Sequence, residues 1–198
     1  MRDYYESLWT TLPAALTPPE LARRRRFLVA ELTAGARLLD LGCGTGEFTA
    51  IAAAAGAQAL GADVASAALA RARAAHPSLH FELVPFDGPL PLPDNSFDLV
   101  WASEVIEHVA DTALWLSEVR RVLVPRGKLL LTTPSHGRLR LLLGGIERYS
   151  APLGDHLHLY TARSLRELLG EFGFGEISVR AATGPPLLRQ TLYGKAQR

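Results

Sequence analysis

The sequence predicts an α/β fold, with helices layered on both faces of a mostly parallel sheet. Three observations predict it. First, the apolar run Leu38-Leu39 reaches Asp40-Leu41, passes through glycines at alternate positions (Gly42, Gly44, Gly46), and enters the helix-forming stretch Glu47 to Ala55. Second, short apolar runs recur at Leu60 to Val64, Phe81 to Phe86, Phe97 to Trp101 and Leu129 to Thr133. Helix-forming stretches lie at Ala65 to Ala75 and around Glu118 to Leu123. Third, the 198 residues suit one α/β domain, taken as 1–198.

The first strand, turn and helix carry the most information. Apolar runs of this kind read as buried parallel strands. Glycines at alternate positions remove the Cβ atoms that keep a ligand off the backbone. Dinucleotide sites use G-x-G-x-x-G, with amides and a helix N-terminus facing a pyrophosphate. The spacing here is G-x-G-x-G, and Glu47 stands where the last dinucleotide glycine would be. An acid at the helix entrance repels a diphosphate and tolerates a cationic ligand.

The segment Leu39 to Phe48, LDLGCGTGEF, resembles motif I of the class I S-adenosylmethionine-dependent methyltransferases. The resemblance implies a Rossmann-like three-layer sandwich. Its seven-stranded, mostly parallel sheet has an antiparallel last strand between the fifth and sixth. It implies S-adenosyl-L-methionine as cofactor, with Asp40, Gly42, Cys43, Gly44 and Gly46 in the cofactor-binding segment. Cys43, the single cysteine, also reads as a small buried residue beneath the turn.

Leu60 to Val64 reads as a second strand ending in an acid. Asp63 lies 17 residues after Gly46, near the ~20-residue offset at which such folds place a carboxylate on ribose hydroxyls. Asp63, with Val64 beside it, suits that role, and Asp63 also suits a helix N-cap. The third strand leads to Asp87-Gly88. In the resemblance, an acid there accepts from the adenine amino group and the next amide meets the ring; locally, Asp-Gly is also a common turn.

Pro93 to Val109, PDNSFDLVWASEVIEHV, is the second specific match. It reads as a turn, a strand through Trp101, and a loop. Asp98 reads as structural. Ser103 and Glu104 line the site in the resemblance. The Glu107-His108 pair fits either a proton acceptor or a packing feature. Glu118 to Pro134 then resembles the family's closing helix, turn and strand, with Arg126-Gly127 in place of paired glycines. Gly127 is expected to supply any positive-φ position there.

Regions outside these motifs are expected to set the acceptor. Residues 1–34 read as an N-terminal helical lid, with Tyr4 and Tyr5 placed either to face a sulfonium or simply to dock a helix. Arg23 to Arg26 reads as a solvated helix side, with anionic contact as the minor alternative. Residues 135–160 read as a substrate-cap insertion, apolar through Leu139, Leu141 to Leu143 and Ile146. His156 and His158, in a stretch similar to the family's DHxHxYT, join His108 as candidate catalytic bases. No metal site is expected, because H-x-H lacks a clear third protein ligand. Ile177 to Arg180 and Gln190 to Lys195 read as a closing hairpin.

Composition limits the rest. A net charge of +1 gives no electrostatic reason to expect nucleic acid. No run is apolar enough to span a bilayer, and no signal-peptide core stands at the N-terminus, so a cytoplasmic setting is expected. The expected function is methyl transfer to an O, N or C atom of a small or lipophilic molecule, by a monomer or homodimer. A non-catalytic S-adenosylmethionine-binding scaffold and an NAD-binding oxidoreductase are the alternatives.

Overall fold

A computed structural model describes residues 2–13, 17–137, 142, 156–185 and 190–198. In chain order the elements are α1 (Arg2–Thr11), α2 (Leu21–Val29), β1 (Arg37–Leu41), α3 (Glu47–Ala54), β2 (Gln58–Asp63), α4 (Ser66–Ala75), β3 (His80–Leu83) and β4 (Phe97–Ser103). They continue with α5 (Thr112–Val122), β5 (Leu123–Pro134), α6 (Ala162–Glu171), β6 (Gly175–Ala182) and β7 (Thr191–Gln197). The strands form one seven-stranded sheet in the order β3-β2-β1-β4-β5-β7-β6. β1 through β5 pair in parallel, and β7 runs antiparallel between β5 and β6.

Alternation along the strands divides the core. Leu38, Leu99, Trp101 and Leu130 point to one face, where Leu28 of α2 and Phe48 and Ala52 of α3 cover them. Leu39, Val100, Leu129 and Leu131 point to the other, against Leu116, Val119 and Val122 of α5 and Leu165 and Leu169 of α6. Two of the covering helices, α5 and α6, are capped by their own sequence. Asp111 accepts the Leu114 N–H at 2.8 Å to start α5. Thr161 and Ser164 form a reciprocal capping box at α6.

Two local expectations change. β3 stops at Leu83, so Val84 to Gly88 is a loop that can reach across the sheet edge. Arg126, not Gly127, takes the positive φ (66°) before the long stretch of β5. Gly127 is required for space: a Cβ there would lie 2.9 Å from the Val124 carbonyl oxygen. Most of the expected cap, including Leu139, Leu141, Leu143 and Ile146, lies outside the described residues.

Candidate active site

A cavity of about 290 Å³ opens at the carboxyl ends of β1, β2 and β4. The strand order reverses direction between β1 and β4, so this is the crevice where open α/β sheets bind ligands. Gly42 and Gly44 follow β1, Asp63 and Val64 end β2, and Glu104, Val105 and His108 follow β4. Val84, Phe86 and Leu90 close one side, and Tyr5, Leu8 and Trp9 of α1 form the roof.

The glycine turn is built by close packing as well as by exposure. Gly42, Gly44 and Gly46 have φ of 79°, 54° and 80°, a region costly for residues with a Cβ. A Cβ on Gly42 would stand 2.4 Å from Val105, and one on Gly46 would stand 2.7 Å from the Phe81 ring. Gly44 faces the Trp9 indole, 3.1 Å from the position of a Cβ. The Gly42 amide donates to the Ala62 carbonyl at 2.7 Å, and the Gly44 amide donates to Asp63 Oδ2 at 2.9 Å. Neither amide is left for an anion. The turn therefore fits a ligand without phosphate, and Glu47 at the start of α3 reinforces the preference for positive charge.

Asp63 is 7% exposed and faces the cavity. Its second oxygen accepts the Ala65 N–H at 2.9 Å. Asp63 is not the N-cap of α4, which is Ala65; its carboxylate holds the Ala65 amide and lines the cavity wall. Burial pushes its carboxyl up, against the pull of the Ala65 and Gly44 amides. Asp40 lies beneath the turn instead of in the cavity. It is 2% exposed and accepts from the Thr49 hydroxyl at 2.6 Å. Burial raises its carboxyl to about 7. Cys43 packs with Leu69, Ala72 and Phe81, and Gly46 packs on Phe81. Asp87 and Gly88 line a smaller adjoining depression, where they share Pro85, Phe86 and Leu90 with the main cavity.

The other half of the wall is charged. Glu104 adopts φ 57° as the chain leaves β4. Arg24 Nη2 lies 3.1 Å from Glu104 Oε1, and the Thr132 hydroxyl donates to the same oxygen at 2.9 Å. Arg24 also donates to Ser103 Oγ at 3.1 Å. Arg24 is 3% exposed, so the arginine run is not wholly a solvated helix side; Arg23, Arg25 and Arg26 remain exposed. Ser103 thus serves Arg24 and Thr132 behind the cavity wall. Burial raises the Glu104 carboxyl despite Arg24.

Behind Glu104, the fully buried Glu107 accepts the Thr133 hydroxyl at 2.9 Å through Oε2. Its backbone carbonyl accepts the Leu157 N–H at 2.7 Å and the His158 N–H at 3.1 Å. That double bond ties the 156–160 segment to the turn after β4. His158 Nε2 donates to the Val109 carbonyl at 2.9 Å, which spends it on the same tie. His156 comes against His108, with ring centroids 4.8 Å apart. Tyr5 stacks on Phe86 and meets His108 edge-on. Glu118 was no sequence candidate, yet it holds the cavity loop by accepting the Leu90 N–H at 2.7 Å.

The sequence model of the methyltransferase-domain family matches residues 14–179. The chain belongs to that family. Among its relatives, a probable S-adenosylmethionine-dependent methyltransferase of Mycolicibacterium smegmatis is 36% identical over 150 residues, 74% of this chain and 54% of the relative. A trans-aconitate 2-methyltransferase of Deinococcus radiodurans is 32% identical over 148 residues, 72% of this chain and 56% of the relative. The methyltransferase chain thus spans about half the length of these curated relatives. A solved S-adenosylmethionine-dependent methyltransferase from Mesorhizobium loti aligns at a TM-score of 0.70 and 26% identity, covering 90% of this chain and 97% of that one. The Haemonchus contortus phosphoethanolamine N-methyltransferase 2, solved with S-adenosyl-L-methionine, shares the fold at a TM-score of 0.76 and 19% identity, covering 98% of this chain and 56% of that one.

S-adenosylmethionine is the cofactor of this family, and the cavity of this domain fits it. The glycine turn leaves neither the Gly42 nor the Gly44 amide for a phosphate, and a buried carboxylate and aromatic rings share the wall. Among the described residues, no helix is long and apolar enough to cross a membrane.

Proposed function

We propose that this methyltransferase domain transfers a methyl group from S-adenosylmethionine to an O, N or C atom of a small or lipophilic organic acceptor. One observation carries the reading. A single cavity joins the Gly42 to Gly44 turn and the Asp63 carboxylate to a second wall made by Glu104 and His108. The remaining lining is largely apolar, through Leu8, Val84, Leu90, Val105, Val109 and Trp115, which favours an organic acceptor.

The cofactor supplies a methyl already activated on a cationic sulfur. The chain's own residues have to hold and orient. Each Asp63 oxygen spends one lone pair on a backbone amide and keeps another to accept sugar hydroxyls. Tyr5 and Trp9 exclude water and bring aromatic rings beside a cationic ligand. The Glu104 and His108 side sets where an acceptor stands, and in-line placement accounts for most of the rate. Where the acceptor carries a proton, His108 is the cavity-lining base. His156 stands behind it, and His158 works as a strut.

Titration calorimetry with S-adenosylhomocysteine tests the reading. The wild-type chain should bind one equivalent. Asp63→Asn should bind about 10- to 100-fold more weakly, as expected for losing charged acceptance of sugar hydroxyls. Tight NAD binding with no S-adenosylhomocysteine binding would overturn it.

A further inference from the structure

We propose that Glu107, His108 and His156 form a binding site for a divalent first-row transition cation at the acceptor end of the cavity. One ligand atom from each of the three lies within 4.8 Å of the others. Glu107 supplies the strongest argument. It is fully buried, its Oε2 is engaged by Thr133, and its Oε1 accepts no hydrogen bond among the described residues. That oxygen points at His108, with Nε2 at 3.8 Å. An oxygen buried this deeply is costly unless a proton or a cation meets it.

The arrangement is held from outside. The Glu107 carbonyl takes two N–H bonds from Leu157 and His158, and His158 returns one to Val109. His136 Nδ1 accepts the Tyr160 N–H at 3.0 Å and fixes the far end of the same segment. These bonds set His156 over His108 before any ligand arrives, as a precise metal site requires. Tetrahedral ligands at zinc-like bond lengths stand about 3.4 Å apart. Small rotations of the two imidazoles close the gap from 4.8 Å.

Two imidazoles and one carboxylate suit zinc, manganese or iron(II), and three protein ligands leave coordination positions open. His108 and Glu104 line the cavity, so those positions face the acceptor. On the methyltransferase reading, with the cation bound, His108 would hold the cation instead of acting as base. The cation would take an acceptor hydroxyl oxygen and favour its ionised form, with the proton released to solvent. Binding of the cation itself does not depend on that reading.

Cobalt(II) is the probe, followed by its visible absorption and by competition with zinc(II). The wild-type chain should take up one equivalent, with bands that zinc abolishes. His156→Ala should weaken uptake by at least the roughly 10- to 100-fold that loss of an outer partner alone costs. The exposed His80→Ala should bind as the wild type does. Absence of saturable cobalt uptake by the wild type overturns the site, whether or not any variant folds. Equal uptake by His156→Ala also overturns it. S-adenosylhomocysteine titration of the same samples reads the nucleoside side separately, so either proposal can fail alone.

Discussion

The two walls of the cavity are made in opposite ways. The nucleoside wall comes from two contiguous strand ends, Gly42 to Gly46 and Asp63 to Ala65, and is held by backbone amides. The acceptor wall draws Arg24, the Glu104 to Glu107 turn and His156 from three separate segments and is held by side-chain charge. A wall of backbone tolerates changes in surrounding side chains. A wall of buried charge depends on every partner, because one removed group strands another in low dielectric.

The largest test of that contrast is Asp40, below the nucleoside wall. Its folded carboxyl titrates at about 7 because it is buried, far above the ordinary value near 3.9. Between those values the folded state holds the proton and the unfolded state does not. Stability from this group is complete below about pH 4, declines as pH rises, and is lost once pH passes about 7. Asp40→Asn keeps an acceptor for Thr49 and should remove that decline, up to about 4 kcal/mol across the window. Urea unfolding at a series of pH values measures it; an unchanged slope would show that Asp40 is not the group.

Next comes the acceptor wall. Arg24→Met leaves Glu104 and Ser103 without their buried guanidinium and should cost about 3 kcal/mol. Adding Glu104→Gln should recover part of it, because the stranded charge is gone. Unfolding midpoints of the two single variants and the double variant give the coupling. If the single-variant losses simply add, the walls do not differ as described.

The smallest effect concerns the roof. Glu6 of α1 accepts the Ser66 and Ala67 amides at 2.7 and 3.0 Å, at the N-terminus of α4. Arg71 of α4 returns two bonds to the Leu12 and Pro13 carbonyls. Glu6→Gln weakens this charge-assisted cap by about 1 kcal/mol. Stopped-flow release of S-adenosylhomocysteine should quicken roughly fivefold. An unchanged rate would mean that α1 does not hold the ligand in.

The same division explains what could be read in advance. The glycine turn and the position of Asp63 at the end of β2 were legible because contiguous residues encode them, and the antiparallel last strand followed from the family resemblance. The burial of Cys43 beneath the turn was legible. Asp40, near the end of β1, and Gly46 were assigned to the cofactor-binding segment and instead pack on Thr49 and Phe81, since spacing alone does not say which side of a turn a residue faces. The burial of Arg24 was not legible: its partner Glu104 lies 80 residues away, and a run of four arginines looks alike at each position. His156 was paired in the sequence with its neighbours Asp155 and His158. In the folded chain, hydrogen bonds from Leu157 and His158 to the Glu107 carbonyl set it against His108 instead. Asp155 lies outside the described residues.

Asp63 and Glu6 both grip the first turn of α4, one from the sheet and one from the roof. The carboxylate proposed to hold the sugar is therefore tied to the same helix start as the roof. On the proposed reading, release of the spent nucleoside would disturb that fastening. The pace of repeated turnover would then be governed by unfastening α1, a step that acceptor chemistry does not touch.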